Sequence, residues 1–130
     1  YLSAAFLDLD LHTLTEPQEL DVEKFETESF NKIGLIPEIG VRYRSTHFEH
    51  IFNHGHSSEF YSYIWTEVLD AHAFELFKQR GIFDPKTAQS FRRNILERGG
   101  TEDPMTLYKR FRGAEPSIEP LLQRRGLDSQ

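Results

Sequence analysis

The sequence predicts an all-α fold, and three observations predict it. Apolar residues recur at helical spacing, most clearly as Phe60, Ile64, Val68, Ala71 and Phe74. Helix-start signals recur at Asp21, Asp84-Pro85, Asp103-Pro104 and Ser117. Glycines stand where those helices should stop, at Gly34, Gly99-Gly100 and Gly126. No internal repeat or low-complexity tract interrupts the pattern.

Each element follows in turn. Residues 1–14 read as a helix with Leu2, Phe6 and Leu9 in one stripe, although Leu7, Leu9 and Leu11 alternate with Asp8, Asp10 and His12 and leave a short strand open. Asp21 is placed to cap a second helix that gathers Val22, Phe25, Phe30 and Ile33 on one face. Residues 35–55 are the least regular stretch, and a loop of that length in a compact domain often carries function. The longest helix is predicted from Ser57 to about Arg80, with Tyr61, Trp65 and Leu69 beside its apolar side. Three shorter helices follow. Their expected buried residues are Ala88, Phe91, Ile95 and Leu96, then Met105, Leu107, Tyr108 and Phe111, then Ile118, Leu121 and Leu122.

Size and composition set the outer bounds. A chain of 130 residues is enough for one domain with a modest core. Its 15 basic and 21 acidic residues give a net charge of −6, which offers no global attraction to nucleic acid or anionic lipid. The late cluster of Arg92, Arg93, Lys109, Arg110, Arg112, Arg124 and Arg125 is interleaved with acids and reads as solvated helix faces and C-terminal helix ends. No apolar run approaches the roughly 20 residues of a membrane helix. With no cysteine there is no disulfide framework, thiolate zinc site or cysteine nucleophile. That composition fits a reducing compartment, so a cytoplasmic setting is expected and a periplasmic one stays open.

The chemically suggestive stretch runs from His47 to Trp65. Four of the six histidines, His47, His50, His54 and His56, fall within ten residues here. Neutral imidazole is a common metal ligand and exchanges protons near neutral pH. His50, His54 and His56 with Glu49 or Glu59 can supply a zinc site on paper. The plain alternative is a polar, histidine-rich loop packed on its neighbours. A third reading sets His50 and the Tyr61/Tyr63 pair either side of a glycine-bearing turn, as donors to a peptide carbonyl or a developing oxyanion. No His-Glu-x-x-His, Gly-x-Ser-x-Gly or phosphate-binding glycine loop occurs, so nothing here completes a catalytic site unaided.

Several motifs resemble the C-terminal catalytic region of zinc peptidases of the thimet oligopeptidase and peptidyl-dipeptidase family. They are Arg42-Tyr43-Arg44-Ser45-Thr46, His50-Ile51-Phe52, and the run from Tyr61 to Asp70. The similarity continues through Asn94-Ile95-Leu96, Gly99 to Met105, Leu107-Tyr108, Phe111-Arg112-Gly113 and Arg125-Gly126-Leu127. Upstream, Leu9-Asp10 and His12-Thr13-Leu14 also fit. The resemblance implies a large, mostly helical enzyme acting on short peptides. Its zinc would be held by a His-Glu-x-x-His helix and a glutamate upstream of this chain, which itself contributes no metal ligand. The chain then becomes a C-terminal piece, inactive by itself, whose partners are peptide substrates and the missing N-terminal part. In isolation it is expected to self-associate through apolar surface.

Carried over by position, His50 matches a family histidine that contacts substrate beside the zinc, and Tyr63 a tyrosine that donates to the reacting carbonyl. Tyr61, Arg44 and Gly55 are assigned to substrate holding. The six-residue step from His50 to His56 fits the peptidyl-dipeptidase branch, which releases C-terminal dipeptides. His56 stands where the family has a catalytic tyrosine, so a weaker or more pH-sensitive enzyme is expected. Phe60, His47, Asn53 and His54 are further departures, and they keep open a diverged, inactive interaction domain. A stand-alone module binding metal through His47, His50, His54 and His56 is the other alternative.

Overall fold

A computed structural model describes residues 1–53 and 55–127. Among these residues there are helices, turns and no strand. The chain forms two compact units, one of residues Tyr1–Tyr63 and one from Ile64 onward.

In the first unit, helix α1 (Leu2–His12) settles the helix-or-strand question in favour of helix. Its buried side carries Ser3, Ala4, Leu7 and Asp8, spaced three and four apart as one helical face requires. The predicted stripe lies elsewhere, with Leu2 and Phe6 exposed. Two apolar rows run along this helix, and the small-residue row is the one that allows close packing. Helix α2 (Val22–Lys32) begins where Asp21 accepts a hydrogen bond from the Lys24 N–H at 3.1 Å. It buries Glu26, Ser29 and Phe30 rather than Val22, and Gly34 follows its end at φ +67°. The irregular stretch contains two short 3-10 turns, Ser45–His47 and Glu49–Ile51.

Helix α3 (Ser62–Arg80) starts five residues later than predicted, since Ser58 has φ +63° and cannot sit in a right-handed helix. The second unit holds most of α3 together with α4 (Pro85–Phe91), a π-helical turn (Arg92–Leu96), α5 (Pro104–Arg112) and α6 (Glu119–Arg124). Asp84 and Asp103 cap α4 and α5 through Thr87 and Thr106 as expected, each with Pro in the first turn. Thr87's hydroxyl and N–H hold the Asp84 carboxyl below its ordinary range.

The face predicted for α4 is met only in part, with Phe91 packed against Phe77 and Phe111 and Ile95 half-buried. Ala88 is exposed, Leu96 is 66% exposed and Thr87 is fully buried. The π turn, closed by Glu97 N–H on the Arg92 carbonyl at 2.9 Å, inserts an extra residue and rotates everything after it. Gly113, at φ +78°, ends α5 in the left-handed conformation. Ser117 accepts the Glu119 N–H at 3.3 Å, and α6 runs from Glu119. The core of this unit includes Val68, Ala71, Leu76, Leu107, Phe111 and Leu121, with Phe77, Phe91 and Phe111 meeting ring to ring. Within it, buried His72 meets the Tyr108 hydroxyl at 2.6 Å.

Candidate functional site

The site grows from an aromatic cluster in the first unit. Phe48, 1% exposed, stacks on Tyr43 at 4.3 Å between centroids and meets Phe60 edge to face at 5.1 Å. Phe60 is buried, so its ring forms a floor rather than offering a donor. On that floor stand His50 and Tyr63, with ring centroids 5.9 and 5.3 Å from Phe60. Aromatic contacts of this kind contribute roughly 0.5–1.5 kcal/mol each beyond area burial.

His50 Nε2 and the Tyr63 hydroxyl lie 3.2 Å apart. With the proton on Nε2, His50 donates to the phenol oxygen and the phenol proton can be aimed at an acceptor; with the proton on Nδ1, the phenol donates to His50. Together with Tyr1, Arg42, Tyr43 and Phe60 they line a pocket of about 240 Å³. The Arg42 guanidinium lies 5.0 Å from the Tyr43 ring centroid, within cation–π range, and brings a positive charge to the pocket. His56 stacks on His50 with parallel rings 4.9 Å apart, and its Nδ1 sits 3.5 Å from Glu59.

The structure thus brings three of the predicted residues, His50, His56 and Tyr63, into one group. Tyr61 is 54% exposed beside them, and Gly55 takes φ +76° in open space, a conformation suited to glycine. Arg44 goes elsewhere. Its Nε lies 2.6 Å from Glu26 Oε2 as an ion pair, and the side chain borders a separate, larger depression along α2. His47 is occupied as well, with Nε2 accepting the Arg44 N–H at 3.4 Å. His54 lies outside the described residues.

Residues that sequence reasoning passed over hold the site in place. The Asp8 carboxylate, fully buried on α1, accepts the N–H groups of Ser58 and Phe60 at 2.9 Å each and lies 2.8 Å from His12 Nδ1. Glu26, 1% exposed on α2, accepts the Ser45 N–H at 2.5 Å while it pairs with Arg44. The available signal was an acid on the same helical face as Ala4 and Leu7, or as Ser29 and Phe30.

Among the described residues, no group of three or more histidine, aspartate or glutamate side chains can hold a metal ion.

Comparison with known proteins identifies the family of the chain. Residues 1–127 match Peptidase family M3. The chain is 41% identical over 129 residues to the dipeptidyl carboxypeptidase of Salmonella typhimurium, covering 98% of this chain and 19% of that protein. It is 39% identical over 128 residues to oligopeptidase A of the same organism, again covering 19% of it. A probable cytosolic oligopeptidase A from Arabidopsis thaliana is 39% identical over 131 residues, with 19% of its length covered. The chain therefore spans about a fifth of the length of these relatives. It belongs to peptidase family M3, a family of metallopeptidases.

Proposed function

From that membership, we propose that this chain forms the substrate-holding and oxyanion-stabilising part of a zinc-dependent oligopeptidase that releases C-terminal dipeptides from short peptides. The observation that carries the reading is the His50–Tyr63 pair, 3.2 Å apart at the wall of an aromatic pocket. Zinc, held by residues upstream, would polarise the scissile carbonyl and lower the pKa of an attacking water.

The roles in this chain follow from donor chemistry. Tyr63 directs its hydroxyl at the carbonyl oxygen, where negative charge grows in the transition state. His50 sets the orientation of that hydroxyl and presents an imidazole able to gain or lose a proton near neutral pH. Phe60, Tyr43 and Tyr1 supply an apolar wall for a peptide side chain. Arg42 brings a positive charge to the same pocket, which supports dipeptide release because the free carboxylate of a substrate's C-terminus needs a cation nearby. The relatives named for dipeptidyl carboxypeptidase and for oligopeptidase A are 41% and 39% identical, so identity alone does not choose between the two activities.

The rival reading, a metal module of His47, His50, His54 and His56, has less to support it. His47 is engaged by the Arg44 N–H, and His50 by Tyr63. Exposed apolar residues along α1, Leu2 and Phe6, fit a chain that packs against more of the same protein.

The test is a hybrid enzyme in which this chain replaces the matching segment of the Salmonella typhimurium dipeptidyl carboxypeptidase. Tyr63→Phe is expected to lower kcat by roughly 10²–10³-fold with little change in KM, as loss of a transition-state donor does. Unchanged kcat in that variant overturns the reading.

A further inference from the structure

The loop that carries His56 and leads into α3 makes an unusual use of a carboxylate. Ser58 is the one non-glycine residue with positive φ among the described residues, at +63°. A side chain there costs conformational energy that the surroundings must offset. Asp8, 50 and 52 residues away in the chain and 0% exposed, accepts the N–H groups of Ser58 and Phe60 at 2.9 Å each, one on each oxygen. His12 Nδ1, one helical turn on, lies 2.9 Å from the Asp8 backbone carbonyl and 2.8 Å from the same carboxylate. A carboxyl group removed from water needs such partners for its oxygens.

What Asp8 holds leads directly to the reactive pair. Its bond to the Phe60 N–H fixes the backbone that bears the Phe60 ring, and both His50 and Tyr63 rest on that ring. The Phe60 carbonyl accepts the Tyr63 N–H at 3.4 Å. At the other side, Ser57 Oγ donates to the Ile51 carbonyl at 2.8 Å, which closes the loop back onto the turn carrying His50.

We propose that Asp8 is a positioning residue for the His50–Tyr63 pair, acting as a clamp on the Ser58 and Phe60 amides. The functional meaning rests on the peptidase reading above; the geometry and its test do not. Asparagine has the same shape but one acceptor oxygen, and its NH₂ group opposes the second N–H. Asp8→Asn therefore breaks at least one of the two bonds while leaving the volume of α1's buried face unchanged.

The experiment is NMR on the whole chain, comparing wild type with Asp8→Asn by amide hydrogen exchange and by the ¹⁵N shifts of the histidine rings. Expected are exchange at Ser58 and Phe60 faster by roughly 10–100-fold, as befits loss of a charge-assisted bond, and a displaced His50 Nε2 signal. The His72 ring serves as the internal reference and should keep its shift. Loosened amides with an unmoved His50 signal overturn the proposal, because the carboxylate then holds chain without positioning the pair. Slow exchange at both amides is also required of the wild type. Rates there matching exposed Gly55 overturn the clamp even where Asp8→Asn fails to fold. No readout is peptide hydrolysis, so loss of this proposal and loss of the peptidase reading remain separate results.

Discussion

The two units put their charged side chains to different use. In the unit of residues Tyr1–Tyr63, two carboxylates, Asp8 and Glu26, are buried and receive backbone N–H groups from a loop and a turn. In the unit from Ile64 onward, Asp84 and Asp103 sit at helix caps, while Asp70, Glu67 and Glu102 pair with Arg124, Arg125 and Arg110 at the surface. Among its buried polar contacts is one between two side chains that both titrate, His72 and Tyr108. The difference teaches where order costs most. Helices satisfy their own backbone, so the second unit needs acids only at ends and surfaces. The irregular stretch that carries His50 and leads into α3 has no such ladder, and buried carboxylates from neighbouring helices take its place.

Substitutions can break this contrast. The largest effect is expected from Asp8→Ala, which strips the acceptor from the buried Phe60 N–H and the half-buried Ser58 N–H and should destabilise the first unit by on the order of 3–5 kcal/mol. Denaturant unfolding read by hydrogen exchange, unit by unit, checks it. Glu26→Gln comes next, at roughly 2 kcal/mol, since Ser45 keeps an acceptor while Arg44 loses its counter-charge. The same exchange experiment should report that loss in the first unit.

A pH dependence belongs to the second unit. Burial, and then the Arg112 charge, push the His72 pKa below its ordinary 6.5. The unfolded chain thus binds the proton more readily than the folded one, and stability falls as pH drops below about 6.5. Burial also raises the Tyr108 pKa, so the phenol stays neutral beside the imidazole. His72→Gln keeps a polar group at that position without titrating, and should flatten the fall in Tm between pH 7.5 and 5. A wild-type Tm that does not fall over that range contradicts this account. The smallest effect is expected from Arg124→Ala, which breaks an exposed pair with Asp70 at 2.8 Å and should change stability by about 0.2–1 kcal/mol.

What the sequence revealed follows the same division. The caps at Asp21, Asp84 and Asp103 were legible because donor and acceptor lie three residues apart. The late start of α3 was not, because the acid that holds Ser58 lies 50 residues away. The stripe on α1 was misjudged because Leu2 and Phe6 form an apolar row as convincing as Ala4 and Leu7. For the site, resemblance and the spacing across the glycine turn picked out His50, His56 and Tyr63. The pocket's Arg42 was masked by Arg44, two residues on, and the sequence alone does not say which arginine goes to Glu26 and which to the pocket.

The central claim is that His50 and Tyr63 act as one unit. Its most direct measurement is a double-mutant cycle of His50→Ala and Tyr63→Phe in the hybrid with the Salmonella typhimurium dipeptidyl carboxypeptidase, read as kcat on a short peptide with a free C-terminus. The account predicts that each single variant loses roughly 10²-fold or more and that the double variant loses little beyond the worse single. Losses that multiply, or single variants with wild-type kcat, contradict it.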